Sequence, residues 1–339
     1  MKGQRDTSLD YIRLLACFMV VLMHSPIPSP DADGMILAPL SYVTAPCIGL
    51  FFMVSGALLM PVKGDYVSFV GRRFGKIALP TLFWTLIYVA LKLYDSESEI
   101  NLMQTLASIP FAPQGEGVLW FMYTLAGLYL LAPILSAWVE KASVRDIELV
   151  LSLWVVTLCY PLLKLWFYTN SGTTGILYYF TGYAGYFLAG CYLKKYPGRI
   201  PMWLFWSVAV SGMLLMLALK YFGIVYDFYS LFWYESIFIA ALAVALWQTV
   251  VYVARRNRPA GRTVVTLSNL SFGIYLTHIL IMRHWLWDCS WIAAISNYGL
   301  QCLVIAVLTF VFSALACLLI SYLPMSQWVI ACHMNWRKK

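Results

Sequence analysis

Ten apolar runs of 18 to 25 residues follow one another along the chain, near 8–25, 38–60, 77–94, 117–139, 147–168, 176–194, 202–220, 230–253, 268–288 and 299–323. At ~1.5 Å per helical residue each run reaches about the ~30 Å of a bilayer's hydrocarbon core. Composition agrees: 62% of residues are hydrophobic and 11% charged, against about 45–50% and about 25% in soluble domains. Between the runs lie turn-forming stretches, at Ser25 to Pro30, Pro61 to Asp65, Asn170 to Thr174, Tyr196 to Pro201 and Asn257 to Gly261. The pattern predicts an all-α, polytopic transmembrane bundle of about ten helices, with residues 1–339 forming a single membrane-embedded domain and no soluble appendage. The longest connection, Asp95 to Gly117, is acidic and partly apolar and is expected to carry a short interfacial helix.

The formal charge of +8 resembles a nucleic-acid signal until the basic residues are located. With the N-terminus inside, 18 of the 23 Lys and Arg fall on the inner side: Lys2, Arg5, Lys63, Arg72, Arg73, Lys76, Lys141, Arg145, Lys194, Lys195, Arg199, Arg255, Arg256, Arg258, Arg262, Arg337, Lys338 and Lys339. This asymmetry is the positive-inside signature, and an even number of spans places both termini in the cytoplasm. No nucleic-acid partner is expected; membrane lipids are. The first run starts basic, like a signal peptide, but Asp10 and Arg13 lie within it and SPIPSP follows His24, so it is expected to remain as a helix. The eight cysteines show no C-x-x-C pair and no zinc-ligand spacing; they read as small core residues, and no metal is expected.

Ionisable side chains inside spans are costly and usually line a cavity, pair or do chemistry. Here they are Asp10, Arg13, His24, Glu235, His278, Arg283 and His284, with Glu116 and Asp288 at outer edges. Asp10 and Arg13 are three residues apart. His24 lies eleven beyond Arg13, which at about 100° per residue returns it to the same face. An ion pair plus a hydrogen-bonded histidine would explain this stripe structurally; a reactive cavity would explain it functionally. In SNLSFGIYLTHIL, Ser271, Tyr275 and His278 share a face, as a hydrogen-bonded pair or as packing. Upright helices set His278 ~12 Å and His24 ~22 Å from the inner boundary, so direct contact would require tilt or displacement.

Three further stretches carry candidates. Ser55-Gly56 in LFFMVSGALLM suits close helix packing or a polar contact in the cavity. The inner loop FVGRRFGKIALP gathers Arg72, Arg73 and Lys76, which suits a phosphate-rich cytosolic ligand such as coenzyme A, or serves topology alone. Trp120 and Tyr123, opening the fourth run, are either belt anchors or a platform for a sugar ring.

Taken together, LDYIRLLACFMVVLMH, LFFMVSG, RRFGKIALP, LWFMYTLAGLYLLAP and SFGIYLTHIL resemble, in order, the motifs of the acyltransferase-3 family of integral-membrane acyltransferases. The chain is most similar to the compact bacterial members lacking an extracytoplasmic esterase domain, the enterobacterial-common-antigen O-acetyltransferase type. The resemblance implies transfer of an acyl group, usually acetyl from cytosolic acetyl-CoA, to a hydroxyl of an envelope polysaccharide or lipid-linked sugar, in the bacterial inner membrane. It carries the family's functional Arg and His onto Arg13 and His24 and its donor-side arginines onto Arg72 and Arg73. Lys76 departs from the arginine expected there.

Such a transfer needs a base for the hydroxyl proton, and histidine titrates near neutrality. His24 is the candidate base or transient acyl carrier, with Arg13 and Asp10 orienting groups. Tyr275, His278 and Ser55 are candidate oxyanion donors, and Glu116, Trp120, Tyr123 and Glu235 candidate cavity or acceptor residues. The alternatives are a transporter or flippase for an envelope glycan or lipid precursor, and a non-catalytic scaffold. Absence of a visible internal repeat weighs against the transporter.

Overall fold

A computed structural model describes residues 5–28, 34–94, 101–164, 175–256 and 260–334. Helices in chain order are α1 Thr7–His24, α2 Gly34–Thr44, α3 Pro46–Leu59, α4 Tyr66–Tyr94, α5 Leu102–Ser108, α6 Trp120–Lys141, α7 Val144–Leu158, α8 Tyr160–Leu163, α9 Ala184–Lys195, α10 Met202–Tyr221, α11 Phe228–Leu231, α12 Ile237–Arg256, α13 Arg262–Ile281, α14 Ser290–Ala293, α15 Tyr298–Ser321 and α16 Ser326–Ile330. No strand occurs among the described residues, and nine helical segments there are long and apolar enough to cross a membrane. The predicted turns at Asn170 to Thr174 and Asn257 to Pro259, and the basic residues Lys2, Arg258, Arg337, Lys338 and Lys339, lie outside the described residues.

The run expected at 176–194 departs most from expectation. Only Ala184–Lys195 is α-helical, preceded by a single 3-10 turn at Tyr178–Phe180. Twelve residues reach ~18 Å, too short to cross alone. What stabilises α9 is burial: Gly185 through Leu193 are all inside. It packs on α3 through two glycines. A Cβ on Gly56 would fall 1.8 Å from the Phe187 carbonyl oxygen, and one on Gly190 would fall 1.9 Å from that of Met53. Because Cα–Cβ bonds tilt toward a helix N-terminus, each glycine abutting the residue three before its counterpart means that α3 and α9 run parallel. Lys194 then donates to the Ala57 carbonyl at 2.7 Å, joining the C-terminal ends of the two helices.

Two predicted starts move earlier. The stretch read as a basic inner loop is helical: α4 begins at Tyr66, with the Asp65 carboxylate accepting from the Ser68 amide at 2.9 Å. Gly71, Gly75 and the charges between them interrupt the apolar pattern without breaking the helix. The ninth run likewise extends back to Arg262 and ends in a wide turn over Met282–Leu286. The second run breaks at Ala45, with Pro46 opening α3. The expected helix between Asp95 and Gly117 appears as α5.

Helix α1 is central, packed against α3, α12, α13 and α15. On α15, Leu300, Leu303, Val307, Val311, Leu315 and Leu319 form an exposed apolar stripe, the side suited to lipid. Its other face buries small and polar residues, among them Cys302, Ala306, Thr309, Ser313 and Cys317.

Candidate active site

Two cavities open toward opposite ends of α1. The first, about 540 Å³, is lined by Arg13, Ser55, Arg73, Lys76, Tyr129, Ser268, Asn269, Tyr275 and His333 among others. Arg72 faces an adjoining cavity of about 410 Å³ that shares Lys76 and His333 with it. The helical start of α4 is what aims Arg73 and Lys76 into one cavity and Arg72 into its neighbour. Among the described residues Arg13 forms no ion pair, so its guanidinium is available to a ligand.

The second cavity, about 810 Å³, is lined by Met23, His24, Ser41, Lys220, Tyr226, Phe228, Tyr229, Trp233 and Tyr234 among others. Its wall is rich in aromatic faces, and among the described residues no Asp or Glu lines it.

Between the cavities lies a pair of imidazoles. The His24 and His278 ring centroids are 5.2 Å apart, and the His278 ring is 5.6 Å from that of Tyr275. Expected separation of the two histidines is therefore corrected. With α13 starting at Arg262, His278 stands ~24 Å along its helix and His24 ~26 Å along α1. His24 Nδ1 lies 2.9 Å from the Val20 carbonyl oxygen, and His278 Nδ1 lies 2.5 Å from that of Tyr275. A carbonyl oxygen only accepts, so both rings carry the proton on Nδ1 when neutral and present a bare Nε2. His278 is 0% exposed and its Nε2 has no partner among the described residues.

Other candidates are placed differently from expectation. Asp10 does not pair with Arg13: it accepts two bonds from Arg5, at 2.6 and 2.8 Å, and one from the Ser268 hydroxyl at 2.7 Å. At 4% exposed, Asp10 lines neither cavity and ties the start of α1 to α13. Its bond raises the pKa of Arg5. The Tyr275 hydroxyl donates to the Val118 carbonyl, so it is not a free oxyanion donor and is not bonded to the His278 ring. Ser55 serves both readings, lining the basic cavity beside the Gly56 crossing.

Glu116 forms an ion pair with Arg283 at 2.7 Å, and Arg283 also sits 5.6 Å over the Trp287 ring. Trp120 packs on Tyr183 and Tyr234 at 5.5 and 5.7 Å, one layer behind the aromatic wall. Tyr123 donates to the Ile109 carbonyl at 2.7 Å, anchoring the segment after α5. Glu235 is exposed beside Gly182 and lines neither cavity.

The sequence reading missed the aromatic wall and His333. The density of rings in YDFYSLFWY, Tyr226 to Tyr234, was the available signal; it was absorbed into an apolar run. His333 follows the last long helix, and no local pattern marks it.

A family model described as Acyltransferase domain, Acyl_transf_3, matches residues 6–325. No curated protein and no solved structure matches the chain. Two cavities flanking paired bases suit a group-transfer enzyme, and the family match spans nearly the whole chain, so the protein belongs to the acyltransferase-3 family and is a multi-pass membrane acyltransferase.

Proposed function

We propose that the protein transfers an acetyl group from acetyl-CoA to a hydroxyl of a cell-envelope polysaccharide or lipid-linked sugar, as an O-acetyltransferase of the bacterial inner membrane. The observation carrying this reading is the histidine pair set between a basic cavity and an aromatic one. Arg13, Arg73, Lys76 and the neighbouring Arg72 suit the phosphates of coenzyme A, for which guanidinium forks and ammonium charges are the usual partners. In this reading the basic cavity and both chain termini lie on the cytoplasmic side, in keeping with the positive-inside distribution of Lys and Arg.

Aromatic faces suit the C–H faces of a sugar, and Tyr229, Trp233 and Tyr234 offer them beside His24. Lys220 adds one positive charge at that wall, suited to an acidic sugar or to the phosphate of a lipid-linked one. The likeness to the enterobacterial-common-antigen type is consistent with such an acceptor.

In the proposed reaction the acceptor oxygen attacks the thioester carbonyl carbon while its proton passes to His24 Nε2. Collapse of the tetrahedral intermediate breaks the C–S bond and forms the ester. The departing thiolate takes the proton back from His24, giving free coenzyme A. His278, its ring centroid 5.2 Å from that of His24, carries a second bare nitrogen in the same buried centre. The route requires the acyl-bearing arm of the donor to pass Tyr275 and reach the imidazoles from the basic cavity.

The test is coenzyme A release from acetyl-CoA by purified protein supplied with an envelope-sugar extract. Acceptor-dependent release, lost in His24→Ala, supports the reading. No turnover by folded wild type across several acyl-CoAs and acceptors overturns it.

A further inference from the structure

A third cavity, about 340 Å³, lies apart from the two described, between the C-terminal end of α9, the 197–202 connection and the last turns of α12. We infer that it is a binding site for an anionic phospholipid with a phosphoglycerol headgroup, drawn from the leaflet at the basic end of the bundle. The end is the same one: Lys194 at the close of α9 bonds the close of α3, whose Ser55 lines the basic cavity.

Four features of the cavity carry the assignment. Arg255 and Arg256 both line it, and among the described residues no Asp or Glu does. The Arg256 guanidinium lies 4.1 Å over the Tyr252 ring, which holds the fork flat and leaves its N–H edges for an anion. Gln248 donates through Nε2 to the Ile200 carbonyl at 3.0 Å, so its Oε1 is fixed as an acceptor; that oxygen is buried and has no partner among the described residues. Trp247, buried, and Leu193 supply apolar wall.

A bare phosphate satisfies the arginines and leaves Gln248 Oε1 empty. A phosphate carrying a hydroxyl-bearing glycerol satisfies both, and its acyl chains continue along apolar helix surface. Basic pockets between spanning helices are a recurrent mode of anionic-lipid recognition. Arginines serving orientation alone need neither the stacked geometry nor the buried acceptor.

The experiment is lipid binding to the full chain in neutral detergent, read as bound lipid by native mass spectrometry and as a shift in melting temperature. The probes are phosphatidylglycerol, phosphatidylcholine, glycerol 1-phosphate and inorganic phosphate. Expected is retention of phosphatidylglycerol and a raised melting temperature, with phosphatidylcholine inert, and loss of both effects in Arg255→Gln/Arg256→Gln. Arg255→Lys/Arg256→Lys, which keeps charge and loses the fork, is expected to bind more weakly than wild type, and Arg145→Gln as well as wild type. Equal effects from glycerol 1-phosphate or inorganic phosphate would overturn the lipid assignment in favour of a soluble phosphate. Undiminished phosphatidylglycerol binding in the glutamine double variant, or no preference over phosphatidylcholine by wild type, overturns the site. Acyl transfer is not used as the readout, so failure here is separate from failure of the proposed reaction.

Discussion

His24 and His278 meet ring to ring at 5.2 Å, each with Nδ1 held by a backbone carbonyl three or four residues earlier in its own helix. Helical backbone carbonyls thus set the tautomer of both rings and leave Nε2 unprotonated on each when neutral. Replacing His24 by Ala is expected to lower kcat by about 10²- to 10⁴-fold, the usual worth of a positioned general base. His278→Gln is expected to lower kcat less and leave the KM for acetyl-CoA unchanged. Steady-state coenzyme A release checks both; a KM effect without a kcat effect at either position would count against the pair as the reacting centre.

Charge removal in the basic cavity should act on donor affinity. Arg13→Gln, Arg73→Gln and Lys76→Gln each lose charge-assisted bonds worth about 1.5–3 kcal/mol, or about tenfold to a hundredfold in affinity. Arg72→Gln, facing the adjoining cavity, is expected to do less. Titration of acetyl-CoA at two ionic strengths measures this, with salt weakening wild type more than the variants.

The α3–α9 crossing leaves no room for a side chain. Gly56→Ala and Gly190→Ala each set a methyl against a carbonyl oxygen and are expected to cost about 1–3 kcal/mol or more. Gly71→Ala on α4 meets nothing within 4 Å and should be neutral or stabilising by up to about 1 kcal/mol. Thermal unfolding in detergent distinguishes the two outcomes.

Asp10 is a fastener between α1 and α13 rather than a cavity residue. Asp10→Ala strands the Ser268 hydroxyl and frees the half-exposed Arg5, so about 1–2 kcal/mol of stability should be lost. Turnover per folded molecule is expected to hold. Comparing melting temperature with active-site-normalised rate checks it; a rate collapse at unchanged stability would return Asp10 to the chemistry.

The Asp65 carboxylate, capping α4, has its pKa lowered by hydrogen bonds from Ser68 and by Arg72. A carboxylate with a depressed folded pKa contributes stability above its unfolded pKa, and that contribution is lost as pH falls through the folded value. The melting-temperature gap between wild type and Asp65→Ala should therefore be present at neutral pH and close on acidification. A gap independent of pH would assign the effect to something other than the ionised cap.

Chain order and spacing alone determined the class of this protein. Apolar runs long enough to cross a bilayer leave little choice but a helical bundle, since unsatisfied backbone groups are too costly in lipid. The Arg13 to His24 interval placed both residues on one side of α1, and the structure puts them in cavities toward opposite ends of it. Periodicity could not reveal helix starts masked by charge and glycine. Six residues at the start of α13 decide whether His278 stands level with His24, and the turns of α4 around Gly71 and Gly75 decide where Arg72, Arg73 and Lys76 point.

Partners were the other matter only tertiary structure decided. Asp10 chose Arg5 over Arg13, Tyr275 chose the Val118 carbonyl, and a half-length helix became stable because α3 offered a glycine to its glycine. A local pattern fixes which face a side chain occupies. Which neighbour meets it can depend on residues far along the chain, as Tyr275 meets Val118 157 positions away, and such distances close only when the bundle packs.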